Sequence, residues 1–96
     1  MRLQTDREFV QELPDLLDQS GYSLRGLARE AGVDPSHLSR VLRRANYKTP
    51  SKELTGAVAK ALGLPRDYFP EYRQALVLER VRADGRLRDR LYAELR

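Results

Sequence analysis

Residues Ser23 to Leu42 read SLRGLAREAGVDPSHLSRVL, and the way this stretch divides decides the fold. Ser23 is an N-cap, whose hydroxyl can accept one of the amides left free at a helix start. Behind it Leu24, Leu27, Ala28 and Ala31 recur at spacings of three, four and seven, which puts them on one buried stripe of a helix. Gly32 ends that helix. Asp34-Pro35 starts the next almost at once, a capping carboxylate followed by proline at the first helical position, where a fixed φ is preset and the missing N–H is not needed. The turn is therefore only about Gly32 to Asp34, and two short helices joined so tightly must cross at a steep angle.

The second of these helices carries the functional reading. At 100° per residue Leu38, Val41 and Leu42 cluster on one side, and Ser36, Ser39, Arg40 and Arg43 on the opposite side. A helix that packs one face and displays small hydroxyls and guanidinium groups on the other can enter a major groove, because nothing bulky and apolar blocks its approach. Arg40 suits a bidentate contact to O6 and N7 of guanine, worth roughly 1–3 kcal/mol of discrimination. Ser36 and Ser39 suit base edges or phosphates with low selectivity. Arg43, Arg44 and Lys48 follow where the chain leaves the groove, and positioning on the sugar-phosphate strand is their expected role. His37 sits at the edge of the presenting face, where a histidine is commonly a bystander but is within reach of a duplex. Tyr47 either stacks on a sugar or packs under its own loop.

Reading outward, Thr5-Asp6-Arg7-Glu8 has the form of a capping box that opens a first helix through Phe9, Leu13, Leu16 and Leu17 to a stop at Gly21. Pro14 inside that run predicts a kink or a late start. Thr49-Pro50 or Ser51 opens a fourth helix through Leu54, Val58, Ala59, Ala61 and Leu62, closed by Gly63, and Pro65 opens a short fifth. Strand-like alternation, internal repeats and low-complexity linkers are missing. The fold class expected is all-α.

At Ser23 to Leu42 the chain resembles the Cro and phage-repressor type of helix-turn-helix protein, the XRE family. Ala28 stands where that family packs a small residue between its two central helices, Gly32 where it makes the turn, and Leu27, Ala31, Val33, Leu38 and Val41 where it keeps apolar residues. Thr49 to Phe69, TPSKELTGAVAKALGLPRDYF, looks like its fourth and fifth helices, so the resemblance covers roughly residues 5–69. It implies a five-helix lambda-repressor-like DNA-binding domain over residues 1–70 followed by a C-terminal helical extension over 71–96. Carried over by position, it implies base contacts from Pro35, Ser36, Ser39 and Arg40 and backbone contacts near Ser23, Arg25, Arg43 and Lys48. Three departures stand out. Pro35 replaces a polar base reader, Arg44-Ala45-Asn46-Tyr47 replaces a glycine and implies a longer helix or loop, and Gly26 and Pro14 weaken the helices that contain them.

Charge agrees in its placement more than in its sum. The 96 residues carry a net +4, but residues 1–24 hold two arginines against five acids, whereas residues 35–52 hold Arg40, Arg43, Arg44, Lys48 and Lys52 and no acid. A basic centre beside an acidic flank suits docking on phosphates, or merely a solvated face that keeps the chain soluble. No Cys and a single His remove disulfides, thiol nucleophiles and histidine-rich metal sites. The carboxylates have no paired spacing near a nucleophile and no glycine-rich phosphate cradle follows a strand, so neither an enzyme nor a cofactor is expected. The first twenty residues are too charged for a signal peptide or a membrane span, and a cytoplasmic protein is expected.

After Pro70, Ala75, Leu76, Val77, Leu78 and Val81 point nearly all round a helix axis, and beyond a break at Gly85 the stripe Leu87, Leu91, Leu95 repeats every fourth residue. Apolar residues on most sides suggest cover from two surfaces. Either Leu76, Leu78, Val81, Leu87, Leu91 and Leu95 form a dimerisation element, or both helices fold back to complete a small core. A homodimer suits an operator of two half-sites in a short inverted repeat. Transcriptional repression through such an operator is the leading expectation. An antitoxin-like or anti-repressor interaction module with auxiliary DNA binding, its protein partner unknown, is the alternative, and a purely structural helical adaptor is the third.

Overall fold

A computed structural model describes residues 3–43 and 48–96. The described residues form six helices and no strand: α1 Phe9–Ser20, α2 Leu24–Ala31, α3 Pro35–Arg43, α4 Lys52–Ala61, α5 Pro70–Ala83 and α6 Gly85–Leu95. Arg44 and Tyr47, and with them the longer helix or loop expected after α3, lie outside the described residues.

Most boundaries are made by the residues that announce them. The Ser23 hydroxyl accepts from the Gly26 N–H at 3.0 Å, Asp34 Oδ1 from the Ser36 N–H at 2.8 Å, and the Ser51 hydroxyl from the Leu54 N–H at 3.1 Å. Ser51 is thus the residue that opens α4. Gly32 takes a left-handed φ of +71°, a region L side chains rarely adopt, and the Val33 N–H then returns to the Ala28 carbonyl at 2.8 Å. That bond closes the turn between α2 and α3.

Three boundaries differ from the sequence expectation. The capping box at Thr5 does not form. The Thr5 hydroxyl accepts from the Arg7 N–H at 3.1 Å, α1 begins only at Phe9, and the Phe9 N–H donates to Glu71 Oε2 at 2.9 Å. Thr5 cannot join a helix because both its backbone groups are taken: its N–H donates to the Tyr68 carbonyl at 2.9 Å and its carbonyl accepts from Arg73 Nη2 at 2.7 Å. Pro14 does not set this start, since it lies inside α1, five residues beyond Phe9. Pro65 opens a turn and not a helix, with the Tyr68 N–H donating to the Pro65 carbonyl at 3.0 Å. Pro70 is the reason, because a proline forces the residue before it out of the helical region, and Phe69 is extended at φ −89°, ψ 142°. The carbonyls of Asp67 and Tyr68 go to Arg73 Nη1 instead, at 2.7 and 2.9 Å. Finally, Gly85 does not break the last helical run. Asp84 does, at φ −127°, ψ 97°, and its carboxylate caps α6 through the Leu87 N–H at 3.1 Å, leaving Gly85 as the first helical residue.

The core lies between α1, α2, α3, α4 and the loop into α5. Phe9, Leu13, Leu27, Ala28, Leu38, Val58, Ala59 and Phe69 are fully buried. Phe69 meets Phe9 edge to face with ring centroids 4.8 Å apart, and Tyr68 at 5.1 Å. α4 packs on both α2 and α5. Its approach to α5 depends on Gly56, where a Cβ would lie 2.9 Å from Tyr72 Cε2.

Tyr68 also ties the loop to α1, its hydroxyl donating to Glu12 Oε2 at 2.7 Å. Burial disfavours the phenolate, and the proton shared with Glu12 adds to this, so the Tyr68 pKa is raised from its ordinary 10.0. The folded chain then holds that proton more tightly than the unfolded chain. The stabilisation is full below the unfolded value and is lost as pH rises through the raised folded value. In melting experiments across that alkaline range, Tyr68→Phe is expected to flatten the decline in melting temperature; an unchanged decline would refute the assignment.

α6 contributes no buried residue. The radius of gyration is 15.2 Å, against about 12.5 Å for a compact chain of this length, and the extents are 46 × 32 × 20 Å. The first turn of α5 is seated in the domain through Glu71 and Arg73, while Leu76, Val77 and Leu78 beyond it, and Tyr92 and Leu95 on α6, are exposed.

Candidate nucleic-acid interface

The α2–α3 pair is held by residues too small or too well buried to move. Ala28 and Leu38 have no exposure, and Val41 and Leu42 are half-buried against the same core. This fixes the rotation of α3 and so decides which side chains it presents. Ser36, His37, Arg40 and Arg43 are exposed, and Pro35 and Ser39 are half-buried. The two sides expected of the helix are present except at Ser39, which is half-buried as Val41 and Leu42 are.

Between the start of α2 and the outer face of α3 runs a groove of about 390 Å³, walled by Leu24, Arg25, Pro35, Ser36, Ser39, Arg40 and Arg43. It gathers the four residues expected to touch bases with two of those expected to touch the backbone. Ser23 is exposed beside it as the cap of α2; its oxygen already accepts the Gly26 N–H, which leaves the hydroxyl proton to donate. Lys48 is not in this groove. It lines a neighbouring cavity of about 510 Å³ with His37, Arg40, Val41, Thr49, Pro50, Ser51 and Leu54. Arg40 borders both hollows, while of the two His37 lines only the second.

The electrostatics are simple. Arg25, Arg40, Arg43 and Lys48 make no ion pair among the described residues, whereas Arg7 is held by Glu12 and Asp15 and Lys52 by Glu79. Among the described residues the cations of the presenting face are thus uncompensated. Leu24 and Thr49 were not among the expected site residues. Leu24 belongs to the apolar stripe of α2 and lies only half-buried at the groove wall, and Thr49 precedes the α4 cap, a position legible in the Thr49-Pro50-Ser51 run.

The residues expected to dimerise divide in two. Leu76, Leu78 and Leu95 are exposed, and Val81, Leu87 and Leu91 are half-buried. Val77 and Tyr92, absent from that set, are exposed at 58% and 65%. Among the described residues no helix is long and apolar enough to cross a membrane, and no three His, Asp or Glu side chains gather as metal ligands.

The family described as helix-turn-helix matches residues 15–69, more than half of the chain and the part that contains the groove. Comparison with curated proteins finds no match. Comparison with solved structures finds none either.

Proposed function

The chain belongs to the helix-turn-helix family, of the Cro and phage-repressor type, whose members are DNA-binding transcriptional regulators, and from that premise we propose that it is a cytoplasmic, non-enzymatic repressor that binds a short inverted-repeat operator as a homodimer. The observation that carries this reading is the groove in which Arg25, Arg40 and Arg43, none of them paired with an acid among the described residues, surround Ser36 and Ser39. α3 lies in the major groove. Arg40 reads guanine through two parallel hydrogen bonds, and Pro35, Ser36 and Ser39 line the base edges. Ser23, Arg25, Arg43, Arg44 and Lys48 hold the sugar-phosphate strands on either side and set the register. His37 flanks the contact, and a DNA contact from Tyr47 is part of the same proposal.

Pairing through residues 71–96 supplies the second half-site. Leu76, Val77 and Leu78 beyond the seated first turn of α5, with Tyr92 and Leu95 on α6, leave an apolar surface, which a second copy covers. Two half-sites about 34 Å apart then combine their affinities through effective concentration.

Selection of bound sites from a random duplex pool at two salt concentrations tests the reading. A two-fold symmetric consensus is expected, with log affinity falling against log salt at a slope of about −5 to −7, as for six to eight phosphates neutralised. A slope near −1 with no consensus would refute it.

A further inference from the structure

Where α1, the loop into α4 and the first turn of α5 meet, a recess of about 310 Å³ is walled in part by Asp6, Glu8, Val10, Glu71 and Gln74, with Asp6 held by Arg73 at 3.8 Å and no Lys or Arg side chain among the described walls themselves. Glu71 is only 8% exposed. Its Oε2 accepts from the Phe9 N–H, but its Oε1 is shut from solvent and has no donor among the described residues. A buried carboxylate oxygen without a donor is costly, and although Oε1 itself is out of reach, the charge of Glu71 together with the exposed Glu8 makes the recess attractive to a cation from outside.

The same helix offers one. Glu71, Gln74, Leu78 and Arg82 succeed one another at spacings of three, four and four, which places them on one stripe of α5. Glu71 and Gln74 wall the recess, Leu78 is 45% exposed, and Arg82 is exposed and makes no ion pair among the described residues. Two copies whose α5 helices cross antiparallel at Leu78 bring Arg82 of each beside Gln74 of the other, about 4.5 Å along the axis from Glu71. The wider charge is complementary in the same direction. Residues 80–96 hold six arginines against three acids, and residues 3–20 hold one arginine against five acids.

We propose that the acid-walled recess at the junction of α1 and α5 receives the Arg82 guanidinium of a second copy of this chain. The contact rests on the pairing through residues 71–96 and gives that pairing its direction: antiparallel, two-fold, with two reciprocal arginine–carboxylate contacts.

Sedimentation equilibrium of the full chain, at low and at high salt, tests it with Arg82→Glu, Glu8→Arg and the two combined. Glu8 and Arg82 are both exposed, so circular dichroism and melting temperature are expected to match the parent. Each single reversal should weaken dimerisation about tenfold at low salt and less at high salt, and the combination should return to within about threefold of the parent. Glu71→Gln, which keeps an acceptor for the Phe9 N–H and removes the charge, should weaken it by a smaller factor. A dimer indifferent to both single reversals overturns the recess contact and leaves the pairing intact. A chain monomeric at every concentration overturns the pairing and the contact together. An Arg82→Glu chain that dimerises as the parent does but loses DNA affinity puts Arg82 on the duplex and overturns the proposal.

Discussion

Reversal of Arg40 and Arg43 together is expected to lower affinity for the selected operator by about a thousandfold while leaving the melting temperature within a few degrees of the parent. The size follows from the number of contacts removed. Each bidentate guanine contact is worth about 1–3 kcal/mol and a paired protein loses two of them, and two further phosphate contacts turn repulsive. A loss of roughly 4 kcal/mol, the thousandfold, lies inside that range. Stability should survive because both side chains are exposed and neither has an ion-pair partner among the described residues. The two roles separate in single variants. Arg40→Lys keeps the charge and loses the planar fork, so it should relax preference at one base pair with little change in salt slope. Arg43→Ala should weaken all sequences alike and reduce the slope by about one for each copy. Titration by fluorescence anisotropy against the operator and a scrambled duplex measures both. Affinity within threefold of the parent in the double reversal would remove α3 from the interface.

The division of α3 was readable because periodicity and burial are the same fact seen twice. Leu38, Val41 and Leu42 share a stripe, so the core holds them and the rest of the helix has nowhere to go but outward. The Gly32 turn was readable for a local reason, since few residues other than glycine tolerate its backbone conformation. The failures lie where distant groups overrode local ones. Thr5 to Glu8 has the spacing of a capping box, yet Arg73 and the Tyr68 carbonyl, more than sixty residues along the chain, take Thr5's backbone groups. Nothing in Thr5-Asp6-Arg7-Glu8 itself could reveal that competition. The short helix at Pro65 failed for a reason that was present in the sequence: Pro70 excludes a helical Phe69, which leaves too few residues for a helix. Glu71 is the clearest case of a residue whose sequence gives no sign of its place. An acid in the first turn of a helix is ordinarily a solvated partner of the helix dipole, and here it is buried and caps α1.

The presenting face of α3 is only as well placed as the core behind it, and Phe69→Ala is the substitution expected to damage that core most. Phe69 has no exposed surface and meets the rings of both Phe9 and Tyr68 edge to face. Removing the ring loses its transfer energy, leaves a cavity and dissolves two aromatic contacts, a cost of about 3–5 kcal/mol. For a domain of this size each kcal/mol corresponds to about 4–8 °C, so a fall of at least 12 °C or so is expected in a thermal melt. Arg73→Met is the informative comparison. It breaks three hydrogen bonds to the Thr5, Asp67 and Tyr68 carbonyls, yet the Arg73 side chain is 27% exposed and water can reach part of what it leaves. A loss of only about 1–3 kcal/mol is therefore expected. If Arg73→Met proves the more damaging of the two, the clasp that joins α5 to the N-terminal segment outweighs the aromatic packing beneath it. Stability would then depend first on polar closure, and changes at the C-terminal helices would be felt at α3 through that closure.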